Sequence, residues 1–483
     1  MKEVDVSELS VNKGQTIEEA MIVIDKGGVG ACLVVKQCKK LYGLVTDGDI
    51  RRALLSGATM ETKIDEVANI SPVTAIEGSN NQYVYSTKNS RVRHVPVLNS
   101  CNEILRLLFF SSDKVIPIAR PYLQGNELKY LTECVTENWI SSSGRFIEDF
   151  ETQFASFCES KYAISVSNGT VALHLSLVVM GIGVGDEVLI PSLSFVATAN
   201  AVRYTGAKPI FVDSEEDTLN IDPCKLERLI TKNTKAIIPV HLYGKPAKMN
   251  KIMEIADKYK IAVIEDAAEA HGAEVMNKKV GSIGVMGCFS FYGNKIITTG
   301  EGGMLVTNNK DLYEKARILR DHGMSLSKRY WHDIVGFNYR MTNMQAAIGC
   351  AQMEKIDSIL KTKINIATMY NKFLSGHQSL ILPKSDNSSK HVYWMYPVVF
   401  NLQGKDNNKI RDDVADLLKL SKIDSRPFFF PIHIMPPYYE NFSLPVSEKL
   451  SLTGIVLPSY VGITNKEIKK ICNIILNKVS ELL

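Results

Sequence analysis

The chain is short of everything that would tie it to an oxidising compartment, a membrane or a nucleic acid. Its nine cysteines are scattered over 483 residues. They form no CxxC pair and no Cys/His cluster at metal-ligand spacing, so neither a disulfide framework nor a metal site is expected. No apolar run reaches the ~18 residues that a membrane span needs. The opening stretch MKEVDVSELSVNKGQ is polar and acidic, unlike a secretory leader. A net charge of +4, without a Lys/Arg block, is too weak to point to nucleic acid or a lipid surface. With 45% hydrophobic and 22% charged residues, the composition is that of a globular protein, and the expected location is the cytoplasm.

What is present falls into three regions. Residues 1–112 carry two apolar strand candidates, 31–35 and 41–45, on either side of a polar turn at 36–40. The second leads into TDGDIRRALLSG, a capped helix start. A weaker copy follows at 71–76 and 94–100, an internal repeat half degraded; LRLLFF (105–110) reads as a buried strand or helix end. A Pro- and Gly-bearing connector at 111–127 leads into residues 113–370, where helices alternate with strand candidates at 162–166, 187–191, 208–213, 235–240 and 261–266. That alternation predicts a mostly parallel sheet covered by helices on both faces, with ligands at the carboxyl ends of its strands. Residues 371–483 are mixed and read as a smaller C-terminal domain.

The strand ends hold the chemistry. After YAISV come Ser167, Asn168, Gly169 and Thr170, then a helix; a helix N-terminus cornered by small residues is either a phosphate site or a plain N-cap turn. After IAVI come Glu265 and Asp266. A carboxylate at a buried strand end calls for a cationic partner, such as a protonated cofactor ring nitrogen, or serves a helix cap or a structural ion pair. Lys295 follows the apolar run CFSFY and precedes TGEGG. A lysine there is either a surface residue or a desolvated nucleophile, with glycines that let backbone pass close to a bulky ligand. Phe195, beyond the strand end at Pro191, is a ring to stack on such a ligand or a core residue. Taken together, a Schiff-base lysine, a carboxylate for a pyridine nitrogen and a phosphate cup are what pyridoxal 5′-phosphate (PLP) requires.

The stretches GNELKYLTECVTENWISSSGRF, SVSNGTVALHL, HLYG, VIEDAAEAHGA, FSFYGNKIITTGEGGM and GFNYRMTNMQAAIG resemble the DegT/DnrJ/EryC1/StrS family of nucleotide-sugar aminotransferases. The run from EDAAEAHGA to RYWHDIVGFNYRM is most similar to the perosamine-forming branch. The resemblance implies an α/β, fold type I PLP-dependent transferase, three-layered about a mostly parallel sheet. It implies a homodimer with shared active sites and an L-glutamate donor. The acceptor would be a nucleotide-linked 4-keto-6-deoxy sugar, GDP-linked by the branch or UDP-linked as the alternative. By motif, Lys295 would hold PLP, Asp266 would pair with its ring nitrogen, and Phe195 would cover the ring. Gly169, Thr170 and Ser290 would hold the phosphate, with Asn338 reaching it from the partner subunit. Glu269 stands where many members carry glutamine. Some members are dehydratases with histidine for the lysine; the lysine here favours amino transfer. Tyr330, Trp331, His332 and Arg426 are the candidates for sugar or diphosphate.

GLVTDGDIRR resembles a CBS motif, so residues 1–112 are expected to form an α+β CBS pair whose second repeat is degenerate. Thr46 and Asp49 would contact the ribose of a bound nucleotide, or the pair would be purely structural. A rival reading of the whole chain is a nucleotide sensor with a non-catalytic PLP domain. The retained lysine, Asp266 and small-residue turn weigh against it.

Overall fold

The computed structural model describes residues 2–4, 6–36, 39–77, 93–109, 115–384 and 388–482. Part of the expected turn at 36–40, the last residue of LRLLFF and the start of the connector at 111–127 lie outside them. The chain divides into two compact units, Met1–Val115 and Ile116–Leu483.

The first unit is α+β. A three-stranded sheet runs Ser10–Asn12, Ala31–Val35, Leu41–Thr46 in that order. A four-stranded sheet runs Lys2–Val4, Ile104–Phe109, His94–Leu98, Ala75–Ile76. The described part of LRLLFF, residues 105–109, is thus strand rather than helix end. Helix Asp47–Leu55 starts where the sequence placed it, because Thr46 and Asp49 close a reciprocal capping box. The Asp49 N–H donates to Thr46 Oγ1 at 3.3 Å, and the Thr46 N–H donates to Asp49 Oδ2 at 2.9 Å.

The second unit is built on a seven-stranded sheet in the order Lys208–Val212, Glu187–Pro191, Thr234–Ile237, Ala262–Asp266, Met286–Ser290, Gly303–Thr307, Tyr162–Val166. The first five strands pair in parallel, and Gly303–Thr307 runs antiparallel to both neighbours. The strands are apolar on both faces, and consecutive residues serve opposite cores. Ala163, Leu189, Val263, Phe289 and Met304 face one; Ile164, Ile190, Ile264, Cys288 and Leu305 face the other. Helices cover each face, which makes the three layers. The strands Met286–Ser290 and Gly303–Thr307 were not among the sequence candidates.

A third core lies toward the C-terminus around a four-stranded sheet, Leu380–Ile381, Tyr396–Phe400, Gly454–Leu457, Arg426–Pro427. Helix Ile356–Leu374 gives Ile359 and Leu360 to the main core and Tyr370 and Leu374 to this one. Among the described residues, no helix is long and apolar enough to cross a membrane, and no cluster of His, Cys, Asp and Glu could hold a metal ion.

Candidate active site

At the carboxyl end of the central strands lies a cleft of about 750 Å³. Gly169, Thr170, Phe195, Asp266, Glu269, Ser290, Lys295 and Arg426 all line it. The topology explains the convergence. Strand Ala262–Asp266 ends in the cleft, its neighbour ends at Ser290, and the chain then turns through Tyr292–Lys295, held by the Lys295 N–H on the Tyr292 carbonyl at 2.9 Å.

Asp266 is buried. Its Oδ2 accepts from Thr198 Oγ1 at 2.7 Å and its Oδ1 from the Ala268 N–H at 3.2 Å. Burial pushes its carboxyl above the usual range, while these two donors and the charge of Lys295 act the other way. Glu269, also buried, accepts from the Tyr243 N–H at 2.8 Å and faces Lys295 Nζ at 3.5 Å. Burial raises it too, opposed first by Lys295. The Tyr243 N–H reaches Glu269 because Tyr243 adopts a left-handed backbone, φ 54°, a strained conformation for a large side chain. Lys295 is nearly enclosed, its side chain 12% exposed, with Nζ 3.9 Å from the centroid of the Trp394 ring.

Of the two readings of the glycine-cornered turn, the N-cap is directly visible. Asn168 caps helix Gly169–Val179 through its side chain on the Val171 N–H at 3.0 Å. The first turn also opens on the cleft, where its N-terminal N–H groups favour an anion. Only glycine fits at 169, since a Cβ there would lie 2.8 Å from that of Ser290. Gly303 is equally constrained, by the Asn168 carbonyl carbon at 2.5 Å.

PLP fits this donor set. Asp266 is a buried carboxylate with two neutral donors and, among the described residues, no cation in hydrogen-bonding contact, which is the setting that a protonated ring nitrogen completes. An enclosed lysine and a helix N-terminus that opens on solvent-accessible space share the same cleft.

The remaining expected residues differ in how they are placed. Phe195 is half-exposed at the cleft wall, its ring 5.9 Å from Phe429. Tyr330, Trp331 and His332 are exposed and do not line their own chain's cleft; Trp331 Nε1 bonds Asp333 at 2.8 Å and His332 Nδ1 the His322 carbonyl at 3.0 Å. Asn338 is exposed and accepts from Arg340 Nε at 3.1 Å. Sequence reasoning missed Thr198, Tyr243 and Trp394. HLYG was a visible motif without a visible role, and Thr198 and Trp394 come from segments whose approach to Asp266 and Lys295 only the fold sets.

Fold and cleft together define a PLP-dependent aminotransferase. The profile of the DegT/DnrJ/EryC1/StrS aminotransferase family matches residues 121–476, and that of the CBS domain residues 2–56. The chain is 49% identical over 359 residues to a GDP-perosamine synthase of Caulobacter vibrioides, covering 74% of this chain and 96% of that one. It is 45% identical over 361 residues to a GDP-perosamine synthase of Escherichia coli O157:H7, covering 74% and 97%. The aminotransferase structure from Psychrobacter cryohalolentis superposes with a TM-score of 0.70 at 30% identity, covering 75% and 98%. The chain belongs to the DegT/DnrJ/EryC1/StrS aminotransferase family and carries a CBS domain at its N-terminus.

Proposed function

We propose that the protein transfers the amino group of L-glutamate to the 4-keto carbon of GDP-4-keto-6-deoxy-mannose, giving GDP-perosamine for surface polysaccharide. The observation that carries the reading is the cleft itself, where Lys295 lies beside Glu269 in a site that also holds Asp266. The two GDP-perosamine synthases matched over nearly their full length support the choice of sugar.

Lys295 would hold PLP, and PLP, once bound, supplies an electron-accepting ring. Asp266, kept in place by Thr198 and the Ala268 N–H, would hold the proton on the ring nitrogen. Lys295 Nζ, when free, would take the proton from the donor's α-carbon and deliver it to the cofactor's C4′ carbon, as general base and then acid. Lys295 and Asp266 are both nearly enclosed, which would limit the access of water to that proton. The N–H groups at Gly169 and Thr170 with Ser290 would cradle the phosphate, and Phe195 would cover the ring face. In a homodimer, Asn338 would complete the partner's phosphate site; its exposure on this chain supports that placement. Arg426, on the cleft wall, is suited to a diphosphate by its two-pronged donor geometry.

The test is turnover with L-glutamate and either GDP- or UDP-linked 4-keto-6-deoxy sugars, with products identified by mass. Amination of the GDP sugar at least tenfold faster than of the UDP sugar is expected. The reverse preference would move the protein to the UDP-sugar branch.

A further inference from the structure

Lys363 is buried, yet among the described residues no carboxylate contacts it. Its Nζ donates to the Trp394 carbonyl at 2.8 Å, to Ser459 Oγ at 2.7 Å and to the Ser459 carbonyl. Three acceptors match the three N–H groups of an ammonium. Burial nevertheless pulls the group down to about 7, so placing a lysine here carries a cost that packing alone does not explain. What it grips is informative. Trp394 is tied at a second point, its Nε1 donating to the Asn294 carbonyl at 2.7 Å, one residue before Lys295. Its ring face then lies 3.9 Å from Lys295 Nζ. The tryptophan is thus fixed at its backbone by Lys363 and at its ring edge by the loop that carries Lys295.

We propose that Trp394 is the rest for the Lys295 amine whenever that amine is free, and that Lys363 is the positioning residue that sets the ring under it. An aromatic face favours an ammonium over a neutral amine when water is excluded. Together with the carboxylates of Glu269 and Asp266, and against the repulsion of His271 were it charged, it would steady the protonated form between the two proton movements. This rests on the role proposed above for Lys295, and the experiment separates the two.

The enzyme is converted with L-glutamate, which frees Lys295, and the acetylation of Lys295 by acetic anhydride is followed across pH by peptide mass spectrometry. If absorbance shows no conversion in the wild type, the role of Lys295 fails first. If conversion occurs, Trp394→Leu should lower the pH of half-maximal labelling by about half a unit to one unit, and Trp394→Phe by less. Lys363→Met should shift it in the same direction and add nothing to Trp394→Leu. The phenylalanine variant keeps the test available should the leucine variant fold poorly. An unchanged midpoint with a higher maximal rate would mean that the ring only shields the amine, and additive shifts would show that Lys363 acts apart from Trp394. Either result would overturn the proposal.

Discussion

Glu265 and Asp266 are neighbours in sequence that serve opposite sides of one strand. Asp266 faces the cleft. Glu265 is buried on the other side, accepting from the N–H groups of Gly281, Ile283 and Gly284 at 2.8, 2.8 and 2.7 Å and pairing with His241 Nε2 at 3.0 Å. His241 Nδ1 accepts from the Ala247 N–H at 3.1 Å, which fixes the proton on Nε2, pointing at Glu265. Alternation along a strand thus divides two adjacent carboxylates between scaffold and chemistry.

The substitutions Glu265→Gln and Asp266→Asn should therefore fail differently. Glu265→Gln removes the charge that collects four donors and should cost about 2–4 kcal/mol in urea unfolding. Asp266→Asn should leave stability within about 1 kcal/mol of wild type while slowing amino transfer by about a hundredfold or more. Equal losses of stability in the two would contradict this division.

Gly169→Ala should weaken PLP binding, because the added methyl group meets Ser290 at 2.8 Å and pushes the helix start away from it. A drop in affinity of about tenfold, read by equilibrium dialysis, corresponds to ~1.4 kcal/mol. Unchanged affinity would remove this turn from the phosphate site.

Stability should fall as the solution is acidified from neutrality. His271 packs among the rings of Phe154, Phe289 and Phe291, and His391 accepts from the Tyr393 N–H at 3.0 Å. Burial holds both down to about 3, against an ordinary 6.5. The unfolded chain binds protons that the folded one refuses, so stability is full above pH 6.5 and is lost progressively toward pH 3. At pH 5 the loss is about 2 kcal/mol for each histidine. Urea unfolding at pH 7 and pH 5 reads it, and His271→Leu should reduce the difference; an unchanged difference would mean that His271 is not the group responsible.

Thr46→Ala should loosen helix Asp47–Leu55 by about 1 kcal/mol, roughly fivefold in hydrogen-exchange protection, through loss of the capping box. Calorimetric titration with adenine nucleotides tests whether the same residues also serve a ligand. Binding abolished by Thr46→Ala and Asp49→Ala is the expected result for a nucleotide site, and wild-type binding retained in both would leave them with the capping role alone.

Much of this site was legible because its chemistry sits at the ends of strands that announce themselves. YAISV and IAVIED are β-rich apolar runs; Gly169 follows shortly after the first and Asp266 closes the second. Strands Met286–Ser290 and Gly303–Thr307 were hidden. The first reads as an apolar approach to Lys295, and the second begins within a run of glycines that looks like loop. Thr198, Tyr243, Trp394 and Lys363 could not be read at all. Each acts through a partner remote in sequence, and no local pattern encodes such a contact. Tyr330 to His332 were a different case: their aromatic and basic character is visible in sequence, but the fold leaves them exposed and outside the lining of the cleft.

The most direct test of the central claim is the absorbance of the purified protein with PLP, before and after L-glutamate, in wild type and Lys295→Ala. A lysine-bound cofactor band near roughly 410–430 nm that bleaches to one near roughly 330 nm on adding glutamate, in wild type only, is the predicted result. A wild type that forms no such band, or a Lys295→Ala variant that keeps it, would contradict the account.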